Sequence, residues 1–157
     1  MSAGLKARLK QLKFISSMFS MAMDEFNNVM GPETIQTIFR LIGERQGEAV
    51  EKRVKEKNNV DKWTPELFQE IIIKDVIDPA VGEGKTEIKV SGNKITVIIK
   101  DCPFKRAGIK IDNKFYCTYT EGLIDTISKK AFENTQFKSV ELRSEKPCDC
   151  KFEITLE

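Results

Sequence analysis

Apolar residues recur at three- and four-residue steps through the first thirty positions. Leu9, Leu12, Phe19, Met23, Phe26 and Met30 form one stripe, and Ile15, Met18, Ala22 and Val29 form a second beside it. The pattern predicts a long helix whose wide apolar face is mostly covered by protein. Gly31-Pro32 breaks it, and Pro32 followed by Glu33 opens a second helix. This one turns Ile35, Ile38, Phe39, Ile42, Ala49, Val50 and Val54 inward and Glu44, Arg45, Glu48, Glu51, Lys52 and Lys55 outward. Gly43 and Gly47 stand four apart on it, and each costs about 1 kcal/mol of helix propensity relative to alanine. Either the pair is tolerated or another backbone approaches closely there, within the chain or from a second copy.

Thr64-Pro65-Glu66 reads as the start of a third helix, with Thr64 as N-cap, Pro65 in the first turn and Leu67, Phe68, Ile71 and Ile72 packing inward; Asp78-Pro79 is expected to end it. From Thr86 the period changes from 3.6 to two. Ile88 and Val90 share one face, and Ile95, Val97 and Ile99 follow after Ser91-Gly92-Asn93-Lys94, which has the chemistry of a hairpin turn. A loop is expected from Asp101 to Lys114, then a fourth helix after Thr120-Glu121-Gly122 carrying Leu123, Ile124, Ile127 and Ala131. Phe137 to Leu142 and Phe152 to Leu156 alternate as two further strands. The second half therefore reads β-β-α-β-β, and the fold class is α+β: N-terminal helices packed on an antiparallel sheet of about four strands. No linker divides the chain, so residues 1–157 are read as one domain, helical over 1–80 and carrying the sheet over 81–157.

Composition narrows the chemistry. Lys and Arg total 26 against 24 Asp and Glu, interleaved without a one-sign block, so no nucleic-acid partner is expected. The chain has no histidine. That removes the serine triad, the cysteine-histidine dyad and every imidazole-ligated metal site, leaving carboxylates, Lys, Tyr and thiols for any chemistry. The longest aliphatic runs, Ile71-Ile72-Ile73 and Val97-Ile98-Ile99, fall far short of the ~20 residues that cross a bilayer. Lys6, Arg8, Lys10 and Lys13 ahead of Phe14 to Met23 suggest a signal peptide at first sight, but Ser16, Ser17 and Ser20 interrupt the apolar stretch and the helical pattern runs on past Asp24-Glu25. A cytoplasmic protein without membrane attachment is expected, and with it reduced thiols.

The four cysteines all lie in the second half, and each sits at an element boundary: Cys102 after a strand, Cys117 before a helix, Cys148 and Cys150 in the last hairpin. Side chains held at element ends can converge on one point while the apolar faces stay packed. A metal site made this way draws on thiolates, with Glu145, three residues before Cys148, as an available carboxylate, which favours zinc or an iron-sulfur cluster. Cys148-x-Cys150 is not a zinc knuckle, however, and ordinary packing or thiol redox chemistry would place cysteines equally well.

Phe115-Tyr116-Cys117-Thr118-Tyr119-Thr120-Glu121-Gly122-Leu123, then a helix, then Glu145-Lys146-Pro147-Cys148-Asp149-Cys150-Lys151-Phe152, resembles the 4-vinyl reductase domain family over residues 80 to 157. Leu41-Ile42-Gly43-Glu44-Arg45-Gln46-Gly47-Glu48 is similar to the glycine-spaced helix of that family and of the related vesicle-tethering subunits. The resemblance implies a small α+β ligand-binding domain, commonly a homodimer. It also implies structural zinc on Cys117, Glu145, Cys148 and Cys150, with Cys102 as an alternative fourth ligand. Two departures limit the likeness: one residue separates Cys148 from Cys150 where the family's sensors have an insertion, and the histidine that contacts their phenolic ligand has no counterpart.

By the same analogy a pocket between the helical half and the sheet, lined by Phe19, Trp63, Phe115 and Tyr119, takes a small apolar or aromatic molecule. Tyr116 and Tyr119, flanking Cys117, add apolar bodies with polar tips that suit either a pocket wall or the core. Trp63, just before a helix cap, equally suits a packing role. Three functions are thus in view: a ligand-binding sensor or regulatory domain, a reductase component or thiol redox protein using Cys148 and Cys150, and a homodimeric scaffold built on the Gly43/Gly47 helix.

Overall fold

A computed structural model describes residues 3–111, 114–145 and 148–157. The expected loop 101–114 and the Glu145–Cys148 segment each include two positions outside these, Asp112 with Asn113 and Lys146 with Pro147.

Two long helices come first, α1 (Ala3–Met30) and α2 (Pro32–Lys57), joined by Gly31 at φ +81°, where a side chain would be strained. Next comes α3 (Pro65–Ile72), capped as its sequence requires by a hydrogen bond from the Leu67 N–H to Thr64 Oγ1 at 3.3 Å. Asp78-Pro79 does not end this helical run. A π turn over Ile73–Ile77 leads into a short helix, α4 (Asp78–Val81), so that Pro79 falls in a first turn, where its missing N–H has no partner to lose.

The sheet begins with the hairpin of β1 (Thr86–Ser91) and β2 (Lys94–Ile99), whose register closes Ser91 on Lys94 across Gly92-Asn93. The 101–114 segment holds a short helix, α5 (Pro103–Arg106). The last helix, α6 (Phe115–Phe132), begins eight residues before the expected start at Leu123, and β3 (Thr135–Glu141) and β4 (Cys150–Leu156) close the sheet in the order β1-β2-β4-β3, every neighbouring pair antiparallel. The α+β class and the four antiparallel strands are as the alternation predicts. Cys117 consequently lies within the first turn of a helix and Cys150 on a strand, instead of in the connecting segments.

One face of the sheet buries Ile88, Ile95, Val97, Phe152 and Ile154 beneath α3 and α6, with Phe68 fully enclosed among them. A smaller cluster joins Met23, Ile35, Ile111, Phe115 and Tyr116 where α1, α2 and the start of α6 meet. The tightest joint in the fold is α2 against α6. A Cβ at Gly43 would collide with the Tyr119 carbonyl oxygen and come within 3.0 Å of the Leu123 nitrogen; at Gly47 it would lie 2.9 Å from the Leu123 carbonyl oxygen and 2.8 Å from Thr126 Cβ. From the other side, a Cβ at Gly122 would collide with the Arg40 carbonyl oxygen. The close approach expected at Gly43 and Gly47 is therefore made by α6 of the same chain. A scaffold contact through those two glycines is corrected accordingly, because their face is already filled.

The covering expected for α1 also needs correction. Of its large apolar side chains only Met23 is buried, whereas Phe14, Met18, Phe26 and Val29 are half-exposed or more. No helix among the described residues is long and apolar enough to cross a membrane.

Candidate ligand cavity

A cavity of about 600 Å³ opens between α2, the α3–α4 segment, the start of α6 and the near ends of β2 and β4. That volume is within the ~300–1,000 Å³ range of small-molecule sites. Its walls are mainly aliphatic and aromatic: Val50 from α2, Ile77 and Val81 from the α3–α4 segment, Leu123 and Ile124 from α6, and Phe104 beside Tyr116 and Tyr119. Val50 on α2 and Leu123 on α6, next to the close joint of the two helices, both line it. The π turn sets another wall, since it rotates Val76 and Ile77 out of the register α3 would have given them.

The aromatic rim is a connected set of ring contacts. Phe104 stacks on Tyr116 with ring centroids 4.4 Å apart and stands edge-on to Tyr119 at 6.3 Å, while Phe39 meets Tyr116 edge-on at 5.4 Å. Burial raises the pKa of both tyrosines above the usual phenol value, with the Asp24 charge adding to the effect at Tyr116, so both stay neutral at physiological pH.

Three charged residues reach the cavity edge. Asp75 is held by Lys57 at 2.7 Å and Asn58 at 2.8 Å, hydrogen bonds that keep its carboxyl below the usual range. Asp101 faces Arg106 at 3.4 Å and Arg143 at 3.9 Å. Arg53, exposed at the mouth, has no ion pair among the described residues. The two acids are thus neutralised by cations, and the guanidinium is left as the cavity's unmatched charge.

Of the residues expected to line a pocket, Tyr116 and Tyr119 do so. Trp63 lies in the main core instead, edge-on to Phe68 at 6.0 Å and donating from Nε1 to Glu51 Oε1 at 2.7 Å. Phe115 belongs to the smaller cluster, stacked on Phe39 at 6.1 Å, and half-exposed Phe19 lies against Tyr116 at 6.5 Å on α1. Wall residues such as Val50, Ile77 and Leu142 carry no sequence signal that separates them from core positions.

The structure brings three of the four thiols to the cavity wall: Cys102, Cys117 and Cys150. Cys117 Sγ donates to Ser144 Oγ at 3.1 Å, and Cys150 Sγ accepts from the Arg143 N–H at 3.4 Å. Burial raises the Cys117 pKa and pushes Cys150 up to about 11, so both are held as thiols, which works against electron exchange through Cys150 at neutral pH. Cys148 does not line the cavity, and Glu145, at the surface, pairs with Lys114 at 2.5 Å. Among the described residues no three His, Cys, Asp or Glu side chains are grouped so as to hold a metal ion. The donor types suit a soft cation, while Cys117 and Cys150 engage Ser144 and the Arg143 N–H.

No family model matches the sequence, and no curated protein matches it. Solved structures do match. Trafficking protein particle complex subunit 3 from Naegleria fowleri, covalently bound to palmitic acid, superposes over 92% of this chain and 96% of its own with a TM-score of 0.53 at 12% identity. The phenol-responsive sensory domain of the transcription activator PoxR, solved with phenol, superposes over 90% of this chain and 74% of its own with a TM-score of 0.62 at 11% identity. This chain shares their fold. At such identities the likeness extends to the backbone path and not to particular side chains.

Proposed function

We propose that this chain is a small-molecule-binding domain of the sensor or regulatory kind. Its ligand would have an apolar body enclosed by the α2–α6 cavity and one anionic end at Arg53. The observation that carries this reading is the cavity itself: about 600 Å³, walled by aliphatic and aromatic side chains, with a single unmatched cation at its mouth. The two structural neighbours hold palmitic acid and phenol, each an apolar body with one oxygen-bearing end, and they lend support at the level of the fold.

The test is a series of straight-chain carboxylates from eight to twelve carbons, titrated calorimetrically below their aggregation concentrations. Burying each methylene is worth about 0.8 kcal/mol, so affinity should rise nearly fourfold per carbon until the cavity is full. Leu123→Trp, which adds bulk to the cavity wall, should weaken binding. Arg53→Gln should weaken the carboxylates while leaving the matching alcohols unchanged. Affinity that ignores chain length, or that Leu123→Trp leaves unchanged, would refute the reading.

A further inference from the structure

The first half of α1 is an arm with almost no cover. From Gly4 to Ile15, twelve consecutive residues are exposed, so every side of the helix faces solvent over about 18 Å. Partial cover begins only at Ser16, whose Oγ lies 3.5 Å from the Ala107 carbonyl oxygen, and the first buried side chain is Met23. Packing within the chain leaves Leu5, Leu9, Leu12, Phe14 and Ile15 between 40% and 71% exposed.

Charge identifies what covers them. Lys6, Arg8, Lys10 and Lys13 all lie on this arm, and no Asp or Glu occurs before Asp24. Over the whole chain 26 cations face 24 acids, and without these four 22 would face 24. The interleaving of charges read from the full sequence fails on this half-helix. At 100° per residue Leu5, Leu9 and Leu12 fall within about 60° of arc, with Arg8 along one edge and Lys13, Lys6 and Lys10 along the other. Gly4, Ala7, Gln11, Phe14 and Ile15 complete the circumference. Ser16 continues the leucine line, so the stripe ends where the protein body begins. An apolar stripe between cationic edges suits the headgroup boundary of an anionic bilayer, which buries the leucines while the long basic side chains reach the phosphates. A nucleic-acid backbone would match the charge but leave the leucines in water. Asp24 lies about 16 Å along the axis from Lys13, twice the ~8 Å screening length at physiological salt, so it does not cancel the arm's charge.

We propose that the N-terminal half of α1 attaches this protein reversibly to anionic lipid surfaces. The expectation of no membrane attachment rested on the lack of a segment that crosses the bilayer, and attachment at the surface requires none. The inference stands apart from the cavity reading, because no residue of the arm lines the cavity.

The test is co-sedimentation of the whole chain with vesicles of phosphatidylcholine, alone or with about one-third phosphatidylserine. Binding should require phosphatidylserine and fall as salt is raised. Near such a surface each basic side chain is worth about fivefold in affinity, so Lys10→Gln/Lys13→Gln should weaken binding by about 25-fold. Leu9→Gln/Leu12→Gln should weaken it by about tenfold or more. Val29→Gln, at an exposed apolar position outside the arm, should leave it unchanged. All five positions are exposed, so the variants should keep the near-ultraviolet circular dichroism of buried Trp63. No binding, equal binding to neutral vesicles, indifference to either double variant, an equal loss in Val29→Gln, or an arm-dependent affinity for duplex DNA above that for the vesicles would each overturn the proposal.

Discussion

Replacing Gly43 with alanine separates two effects of opposite sign. By helix propensity alone the change should stabilise α2 by about 1 kcal/mol. The α2–α6 joint opposes it: the new Cβ would overlap the Tyr119 carbonyl oxygen and lie 3.0 Å from the Leu123 nitrogen. Both atoms belong to backbone in the interior of α6, so neither can swing aside as a side-chain tip would, and the helices must move apart. Overpacking of this kind costs about 1–3 kcal/mol, and parting the helices also loosens the packing of Val50, Val54 and Ile124. Because both colliding atoms are backbone, the upper end of that cost applies, and about 3 kcal/mol set against about 1 kcal/mol of propensity leaves a net loss of about 2 kcal/mol, seen as a lower urea midpoint with little change in slope and a Tm lower by about 4–8 °C. Gly4→Ala is the matched control, since a Cβ there meets nothing within 4 Å, and it should be neutral or slightly stabilising. Gly122→Ala parts the same helix pair, so the Gly43→Ala/Gly122→Ala double variant should lose less than the sum of the two. A Gly43→Ala protein as stable as wild type would refute the close joint beside which Val50 and Leu123 line the cavity.

Three other outcomes are expected. Trp63→Phe removes the donor to buried Glu51 and should cost about 1–3 kcal/mol in thermal or urea unfolding; no loss would mean that the carboxylate is not dependent on that bond. In chelator-treated native protein at pH 8, only about one Cys150 side chain in a thousand should be thiolate. Iodoacetamide should then label Cys150 about a hundredfold more slowly than in the urea-unfolded chain, the rate climbing as pH rises towards 11; equal rates would contradict its burial. Metal analysis of protein purified without chelator tests the structural zinc implied by Cys117, Cys148 and Cys150 with Glu145 or Cys102. One zinc per chain, lost in Cys148→Ser/Cys150→Ser, is the result that reading expects, and zinc-free protein would remove it.

Features encoded within a few residues could be read directly from the sequence. Period-two alternation around Gly92-Asn93 specified the first hairpin, and Thr64 with Pro65 specified the start of α3, because turn and cap chemistry act over three or four positions. The start of α6 was hidden because its N-cap, Lys114, adopts φ +60° without a capping side chain, while Gly122 looked like a turn signal. Glycine serves tight turns and close helix contacts alike, and only the tertiary structure tells which. Periodicity identified the apolar face of α1 but could not say what covers it. Cavity walls are the hardest to read, since Val50, Ile77 and Leu123 are chosen by the same hydrophobic pattern as the core, and the void between them belongs to the relative placement of α2, α6 and the π turn.

The central claim is that the space between α2 and α6 is the ligand site, and the most direct measurement is a crystal structure with 12-bromododecanoic acid, located by the anomalous signal of bromine. The account predicts bromine inside the cavity, away from its mouth, with the carboxylate at Arg53. Bromine found only on the exposed face of α1, or a cavity closed by its own side chains, would contradict it.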